Sequence, residues 1–443
     1  MRIHLSALGC RLNEAELEQW AAAFVRAGDR IESDIEHADV MVMNTCAVTK
    51  EAVRKSRQKI QRLQRDNPAA KLVVSGCYSE LSNPEALAEL GIDLVVPNSR
   101  KEELVQMTRE AYARPDMPQS ATFPAESALF TRNRHRAFIK IQDGCRYRCT
   151  FCIVTVARGA ERSRSIADII EEVRELHANE VQEVVLTGVH VGGYGSDLDT
   201  DLVSLVQALV NDTDIARIRF ASVEPWDLSP GFIDLFANPR VQPHMHLPLQ
   251  SGSDTVLRRM ARRCKTADFN KLTQSLKQAV PHFNITTDII AGFPGETDAE
   301  WQESLDFIAT QKFGHIHTFT YSEREGTKAA TLPDPVPMPV RQQRSRQLHE
   351  LAECLKSEQL QASVGQQQSV LFERGKQVMT PAGVVWQHQG YTPNYQRVVT
   401  QSDVDLANQI IDTRITGVRD NRLTGVLETP AACRPLTDAA TQR

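Results

Sequence analysis

The chain has 443 residues, 41% of them hydrophobic and 24% charged, with a formal net charge of −5. That is the composition of an ordinary globular protein of several domains with a sizeable core. No run reaches the about 18 apolar residues of a membrane span, and the first residues carry no apolar signal core, so neither a secretory signal nor a spanning helix is expected and a cytoplasmic protein is inferred.

From the N-terminus, strands and helices alternate. "RIHLSAL", "DVMVMNT", "KLVVSG" and "DLVVP" read as short apolar strands. Between the first two lies a helix with Leu17, Trp20, Ala21 and Phe24 on one stripe, a capping pair expected at Asn13 and Glu16, and a stop at Gly28. Residues 1–110 are therefore expected to form an open parallel βαβ sheet. Cys10, Cys46 and Cys77 each follow the apolar part of their own strand. In a parallel sheet strand C-termini share one edge, so three distant cysteines can converge there.

"ARPDMPQSATFPAES" reads as a linker. Six βα-like units follow, with strands "AFIKI", "EVVLTGV", "RIRFASV", "HMHLPL", "ITTDIIAGF" and "HIHTFTY". They predict an incomplete (β/α)6 barrel within residues 131–363, with its site at the C-terminal ends of the strands. His244, His246, His315 and His317 alternate on two of these strands, and barrel-interior packing is the expected role, with a metal site as the alternative. From 365 to 429 the pattern changes to short β runs, read as a small antiparallel β-barrel, and the last residues read as a tail.

Basic runs stand out against the negative net charge. "VRKSRQKIQRLQR" and "LRRMARRCK" read singly as solvated helix faces and together as a phosphate-binding surface. Arg158, Arg162 and Arg164 are candidates for binding a carboxylate or phosphate, with a solvated loop as the alternative. Trp386, Tyr391, Tyr395 and Arg397 in the terminal β-barrel are candidates for RNA stacking, with Trp386 as core the alternative.

The densest signal is "DGCRYRCTFC", which places Cys145, Cys149 and Cys152 at C-x3-C-x2-C spacing at the mouth of the expected barrel. Structural zinc takes four protein ligands. Three thiolates in one loop can hold three irons of a [4Fe–4S] cluster and leave the fourth iron open. This motif, with Phe151 before the last cysteine, resembles the radical SAM signature.

The resemblance extends along the chain. "LGCRLNEAE", "NTCAVT", "KSRQ", "SGCYSE", "FIKIQDGCRYRCTFC", "LPLQSGSD", "TDIIAGFPGET" and "YSEREGTKAA" are similar to the methylthiotransferase family of radical SAM enzymes. It implies two [4Fe–4S] clusters, one on Cys10, Cys46 and Cys77 and one on Cys145, Cys149 and Cys152, with S-adenosylmethionine at the second. Phe151, Gly188, Ser222, Glu224, Gln250, Ser251 and Asp288 are the candidate cofactor contacts, and Gly192, Gly193 and Gly195 a turn that lets the cofactor approach the backbone. The terminal barrel resembles the RNA-binding TRAM module.

"VVLTGVHVGGYGSDL" and "RFASVEP" look most like the members that methylthiolate C2 of N6-threonylcarbamoyladenosine in tRNA. Isopentenyladenosine in tRNA or a ribosomal protein are the alternative substrates, and a non-enzymatic metal-containing RNA-binding protein is the alternative class. A tRNA substrate, an external electron donor, an unassigned sulfur source and a monomer complete the expectation. One departure is Thr155–Val156 after the last cysteine, where the family commonly has Pro-Tyr.

Overall fold

A computed structural model describes residues 1–112, 135–381 and 383–428. The expected linker and tail, and Cys433 with the tail, lie outside the described residues. The chain divides into two compact units, Met1–Glu353 and Cys354–Arg443.

The first unit opens with five parallel strands: β1 Arg2–Ala7, β2 Arg30–Ile31, β3 Val40–Thr45, β4 Lys71–Gly76 and β5 Leu94–Val95. Their order in the sheet is β2-β1-β3-β4-β5. The side-chain period of two explains why β3 is apolar throughout. Val40 and Val42 join Trp20 and Phe24 of helix α1 (Arg11–Arg26) on one face, while Met41 and Met43 join Ile60 and Leu63 of α2 (Lys50–Asp66) on the other. Short helices α3 Cys77–Leu81 and α4 Pro84–Ala88 and the longer α5 Leu104–Tyr112 complete this part.

The predicted six strands follow. β6 Arg136–Lys140 leads to a two-residue pair, β7 Gln142–Asp143 and β8 Arg162–Ser163, that brackets the core cysteines and helix α6 Val154–Arg158. Then come α7 Ile166–Ala178, β9 Glu183–Thr187, α8 Leu202–Asp212, β10 Arg217–Phe220, β11 His244–His246, α9 Asp254–Arg259, α10 Thr266–Ala279, β12 Asn284–Ala291, α11 Asp298–Gln311 and β13 His315–Thr320. Two three-stranded parallel sheets, β10-β9-β6 and β11-β12-β13, are joined by the bridges Ile218↔Val241 and Ser222↔His246. Among the described residues β13 does not pair with β6, so the barrel is open there. Ala15 of α1 packs with Phe138 of β6 and Val185 of β9, so the N-terminal helix is built into the barrel wall.

Helix α12 (Met338–Gln361) contains the boundary between the units. The second unit has six strands: β14 Gln367–Phe372, β15 Lys376–Thr380, β16 Gly383–Tyr391, β17 Arg397–Ser402, β18 Ile410–Arg419 and β19 Arg422–Leu427. β14 pairs with both β18 and β16, which closes the barrel around Leu360, Val370, Phe372, Val398, Ile415 and Leu423. The expected antiparallel barrel is present, with one parallel pairing in it, β17 with β19 at Val398↔Leu423 and Val399↔Thr424.

Candidate active site

The three N-terminal cysteines converge as their positions predict. Cys10 precedes α1, Cys46 follows β3, and Cys77 opens α3 after β4, on three adjacent strands. Gly9, at φ +116, is required here: a Cβ on it would stand 2.6 Å from the Cys46 Cβ and 2.8 Å from its Sγ. Cys10 is exposed, whereas Cys46 and Cys77 are buried. Burial pushes the Cys46 thiol up to about 11, and the neighbouring Cys10 and Cys77 thiols push the same way.

Asn13 and Glu16 are not the expected capping pair. Cys10 occupies the N-cap, and Asn13 and Glu16 are each 1% exposed. Asn13 Nδ2 donates to the Leu8 carbonyl at 2.6 Å and the Thr45 carbonyl at 3.1 Å, tying the Cys10 and Cys46 loops together. The Cys10 thiol lies 3.7 Å from Asn13 Oδ1. Ser56 of α2 donates to the Cys46 carbonyl at 2.9 Å.

The core triad sits on a loop closed by its own backbone. Cys145 N donates to Gly159 O at 3.1 Å, and Val154 N points at Cys152 Sγ at 3.4 Å. Thr155, at the family departure, donates from Oγ1 to the Tyr147 carbonyl at 2.7 Å, so the hydroxyl pins the loop that the substitution put in question. Burial, with help from the other two thiols or one of them, pushes Cys145 up to about 12 and Cys152 to about 11. Arg262, read above as part of a solvated face, instead reaches Cys149 Sγ at 3.8 Å and covers the Trp226 ring at 4.2 Å.

Around Cys145 lies a polar cage that sequence reasoning missed. His190 is wholly buried, with Nδ1 2.5 Å from Glu161 and Nε2 2.9 Å from Asp227. Tyr147 stands edge-on to His190 at 5.0 Å and donates to Asp227 at 2.9 Å. The one available signal was His190 directly after the strand "EVVLTGV", at the barrel's C-terminal edge.

The donor set fits iron–sulfur clusters better than single ions. Three thiolates on one zinc would lie about 3.8 Å apart, given Zn–S bonds of about 2.3 Å. Neither cysteine triad is that tight: among the described residues the donor groups within 4.8 Å of one another are Cys145–Glu161–His190 and His246–Asp288–His317. Beside Cys145, Glu224 is half-buried; its covered Oε2 lies 3.9 Å from His190 Nε2 and has no hydrogen-bond partner among the described residues, and desolvation raises its pKa. An unpartnered carboxylate oxygen there suits an ammonium ligand such as the amino group of S-adenosylmethionine.

The other candidates divide. Ser222 pairs with His246 across the joint between the two sheets. Gln250 holds φ +78, with backbone bonds to Asp288 and Ile290, and Ser251 Oγ accepts from Ser253 N at 3.2 Å. Phe151 packs beside Val256, Met260, Phe293 and Tyr321. Gly188 and Gly193 make room for protein atoms: a Cβ on the first would stand 2.9 Å from Gln142 O and on the second 2.4 Å from His190 Nδ1. Within the glycine turn, Gly193 leaves room for the His190 ring and Gly195, at φ +84, for the Thr200 carbonyl.

Asp288 accepts His246 Nε2 at 3.1 Å, and the His317 ring lies 5.4 Å from that of His246. His244 is buried and 3.3 Å from Thr286 Oγ1, as packing predicts. Arg158 is buried against Glu16 and Asp143, and Arg164 pairs with Glu172 at 2.5 Å, so neither is a solvated loop residue.

The strand order and the cysteine loop at the barrel mouth define a radical SAM enzyme. Residues 139–308 match the Radical SAM superfamily, and residues 2–97 match the Uncharacterized protein family UPF0004. The radical SAM methyltransferase TsrM of Kitasatospora setae shares the fold, with a TM-score of 0.56 at 15% identity over 74% of this chain and 77% of that one. The threonylcarbamoyladenosine tRNA methylthiotransferase MtaB of Bacillus subtilis is 35% identical over 420 residues, 92% of each chain. That of Thermotoga maritima is 33% identical over 84% of this chain and 86% of its own. The tRNA-2-methylthio-N(6)-dimethylallyladenosine synthase of Geobacillus kaustophilus is 33% identical over 96% of this chain and 82% of its own. The chain belongs to the methylthiotransferase family of radical SAM enzymes.

Proposed function

We propose that the protein methylthiolates C2 of N6-threonylcarbamoyladenosine in tRNA, next to the anticodon. The observation that carries the reading is the pair of cysteine triads within one unit, each at strand C-termini. Cys145, Cys149 and Cys152 would hold the radical-generating cluster, and Cys10, Cys46 and Cys77 the second, sulfur-carrying one. Glu224 would take the ammonium of S-adenosylmethionine, with Phe151, Gly188, Ser222, Gln250, Ser251 and Asp288 around it.

C2 of adenine bears an unactivated C–H that side-chain acids and bases do not remove. S-adenosylmethionine, when bound at the core triad, supplies the 5′-deoxyadenosyl radical for that step. The chain's own residues position and shield. The Tyr147–His190–Asp227 cage and the Trp226–Arg262 stack wall off the cysteine loop, and Arg262 sets a positive charge against Cys149. An external electron donor completes the turnover.

The threonylcarbamoyl substituent carries a carboxylate and a hydroxyl. The polar His246–Asp288–His317 group favours such a substituent over an apolar isopentenyl chain. The similarity to threonylcarbamoyladenosine enzymes supports the same choice. Nucleoside mass spectrometry of tRNA from cells lacking the protein tests it. The methylthio derivative of threonylcarbamoyladenosine should vanish and that of isopentenyladenosine should persist.

A further inference from the structure

Basic helix α2 is not uniformly neutralised. Glu51 pairs with Arg54 at 2.6 Å and Lys55 at 3.6 Å, and Asp66 takes Arg62 at 3.2 Å and Arg65 at 3.7 Å. Arg57 has no carboxylate within ion-pair distance among the described residues. It lines a cleft of about 400 Å³ with Lys50, Arg54, Gln58, Gln61 and Arg324. Arg324 comes from the loop after β13, so the N-terminal part and the barrel each supply a wall. Among the described residues no acidic side chain lines the cleft. The acids next in sequence to the lining residues Lys50 and Arg324 are paired: Glu51 as above, and Glu323 to Arg341 at 2.8 Å and Lys50 at 3.4 Å. Arg324 is half-buried, without a carboxylate partner among the described residues, and close enough to Cys46 and Cys77 to feel both thiols.

A concave surface lined by four cationic side chains, two amides and the single apolar residue Val53 suits an oxyanion. Its position beside Cys46 and Cys77 sets it next to the base that must reach the cysteine triads. We propose that the Arg57–Arg324 cleft binds a backbone phosphate of the RNA strand flanking the target adenosine. The proposal rests on the RNA substrate argued above. The same cleft could in chemical terms take the carboxylate of the threonylcarbamoyl group, and the test separates the two.

The experiment titrates reconstituted protein with an anticodon stem-loop RNA, carrying either adenosine or threonylcarbamoyladenosine at the target position, over a series of KCl concentrations. Arg57→Gln and Arg324→Gln are compared with wild type and with Arg65→Gln, on α2 but not lining the cleft, and iron content is measured for each. Arg57→Gln should weaken binding about three- to tenfold and reduce the slope of log K against log salt by about 1, equally for both RNAs. Arg324→Gln should do the same at unchanged iron content, and Arg65→Gln should fall well short of both. Slopes unchanged in Arg57→Gln overturn the proposal. A loss confined to the threonylcarbamoyl RNA also overturns it and assigns the cleft to the carboxylate. If wild type binds neither RNA, the substrate reading itself fails.

Discussion

Arg158, in the helix that follows Cys152, donates to Glu16 Oε1 at 2.8 Å, and its other Nη reaches Asn13 Oδ1 at 2.9 Å. Glu16 and Asn13 lie in the helix that Cys10 caps. One guanidinium thus joins the loop of the core cysteines to that of the N-terminal cysteines. Asp143, just ahead of Cys145, takes the same guanidinium at 3.0 Å. Lys101 reaches Glu16 at 3.0 Å, and Lys140 lies 3.9 Å from Glu16, so three cations share two carboxylates in a buried interface.

Glu16→Gln keeps the shape of this node and removes its central charge. The three cations would then have Asp143 alone, and breaking a buried pair of this kind costs about 3–5 kcal/mol. Trp20 Nε1 donates to the Lys101 carbonyl at 3.1 Å, so its fluorescence reports on the node. Urea unfolding of the apoprotein should show the loss; a variant as stable as wild type would contradict it.

The barrel floor predicts a pH dependence. Glu183, among Arg219, Arg136 and Arg217, is 1% exposed; desolvation raises its pKa, and the three arginines outweigh that and hold it down at about 2, from a reference of 4.5. A depressed folded-state pKa gives stability that is present above the unfolded value and lost as pH falls toward the folded one. The apoprotein should therefore lose stability between pH 4.5 and about 2. Glu183→Gln should be weaker at neutral pH and show a shallower decline. Parallel pH profiles for the two proteins would count against this placement of the charge.

The two triads should be separable. Anaerobically reconstituted protein should carry about eight irons, and replacing Cys145, Cys149 and Cys152 with Ala should remove about half. The variant with Ala at Cys10, Cys46 and Cys77 should still cleave S-adenosylmethionine reductively and make no methylthiolated nucleoside. Iron falling to zero in the first variant, or product in the second, would refute two independent sites.

In the second unit Tyr391 and Tyr395 stack at 4.8 Å and 20°, with Arg397 over the Tyr391 ring at 5.6 Å. Trp386 stacks on His388 and stands outside the barrel's core cluster, which argues against a plain core role. Base–aromatic stacking is worth about 1–3 kcal/mol per base. Tyr395→Ala should weaken anticodon stem-loop binding within that range while uncoupled S-adenosylmethionine cleavage stays intact. Equal affinities would remove the aromatic pair from RNA capture.

The strands and both triads were legible because each apolar run is short and each N-terminal cysteine closes one. The wiring between them was not. Asn13 and Glu16 have the spacing of a capping pair, yet the partner that decides their role, Arg158, is 142 residues from Glu16. Burial in a shared interface overrode the local signal. Arg262 looked like one more charge in a basic run, and only the fold turns it toward Cys149. His190 gains meaning from Glu161 and Asp227, each unremarkable alone. The parallel β17–β19 pair was hidden because a short β run carries no mark of its neighbour's direction.

The central claim, substrate choice by a two-cluster enzyme, is tested most directly by reconstituted protein given two anticodon stem-loops that differ only in the N6 substituent. Product nucleosides are quantified by mass spectrometry under reducing, anaerobic conditions with S-adenosylmethionine. The account predicts methylthiolation at C2 of the threonylcarbamoyl RNA and little or none of the isopentenyl RNA. Equal or preferred conversion of the isopentenyl RNA would contradict it.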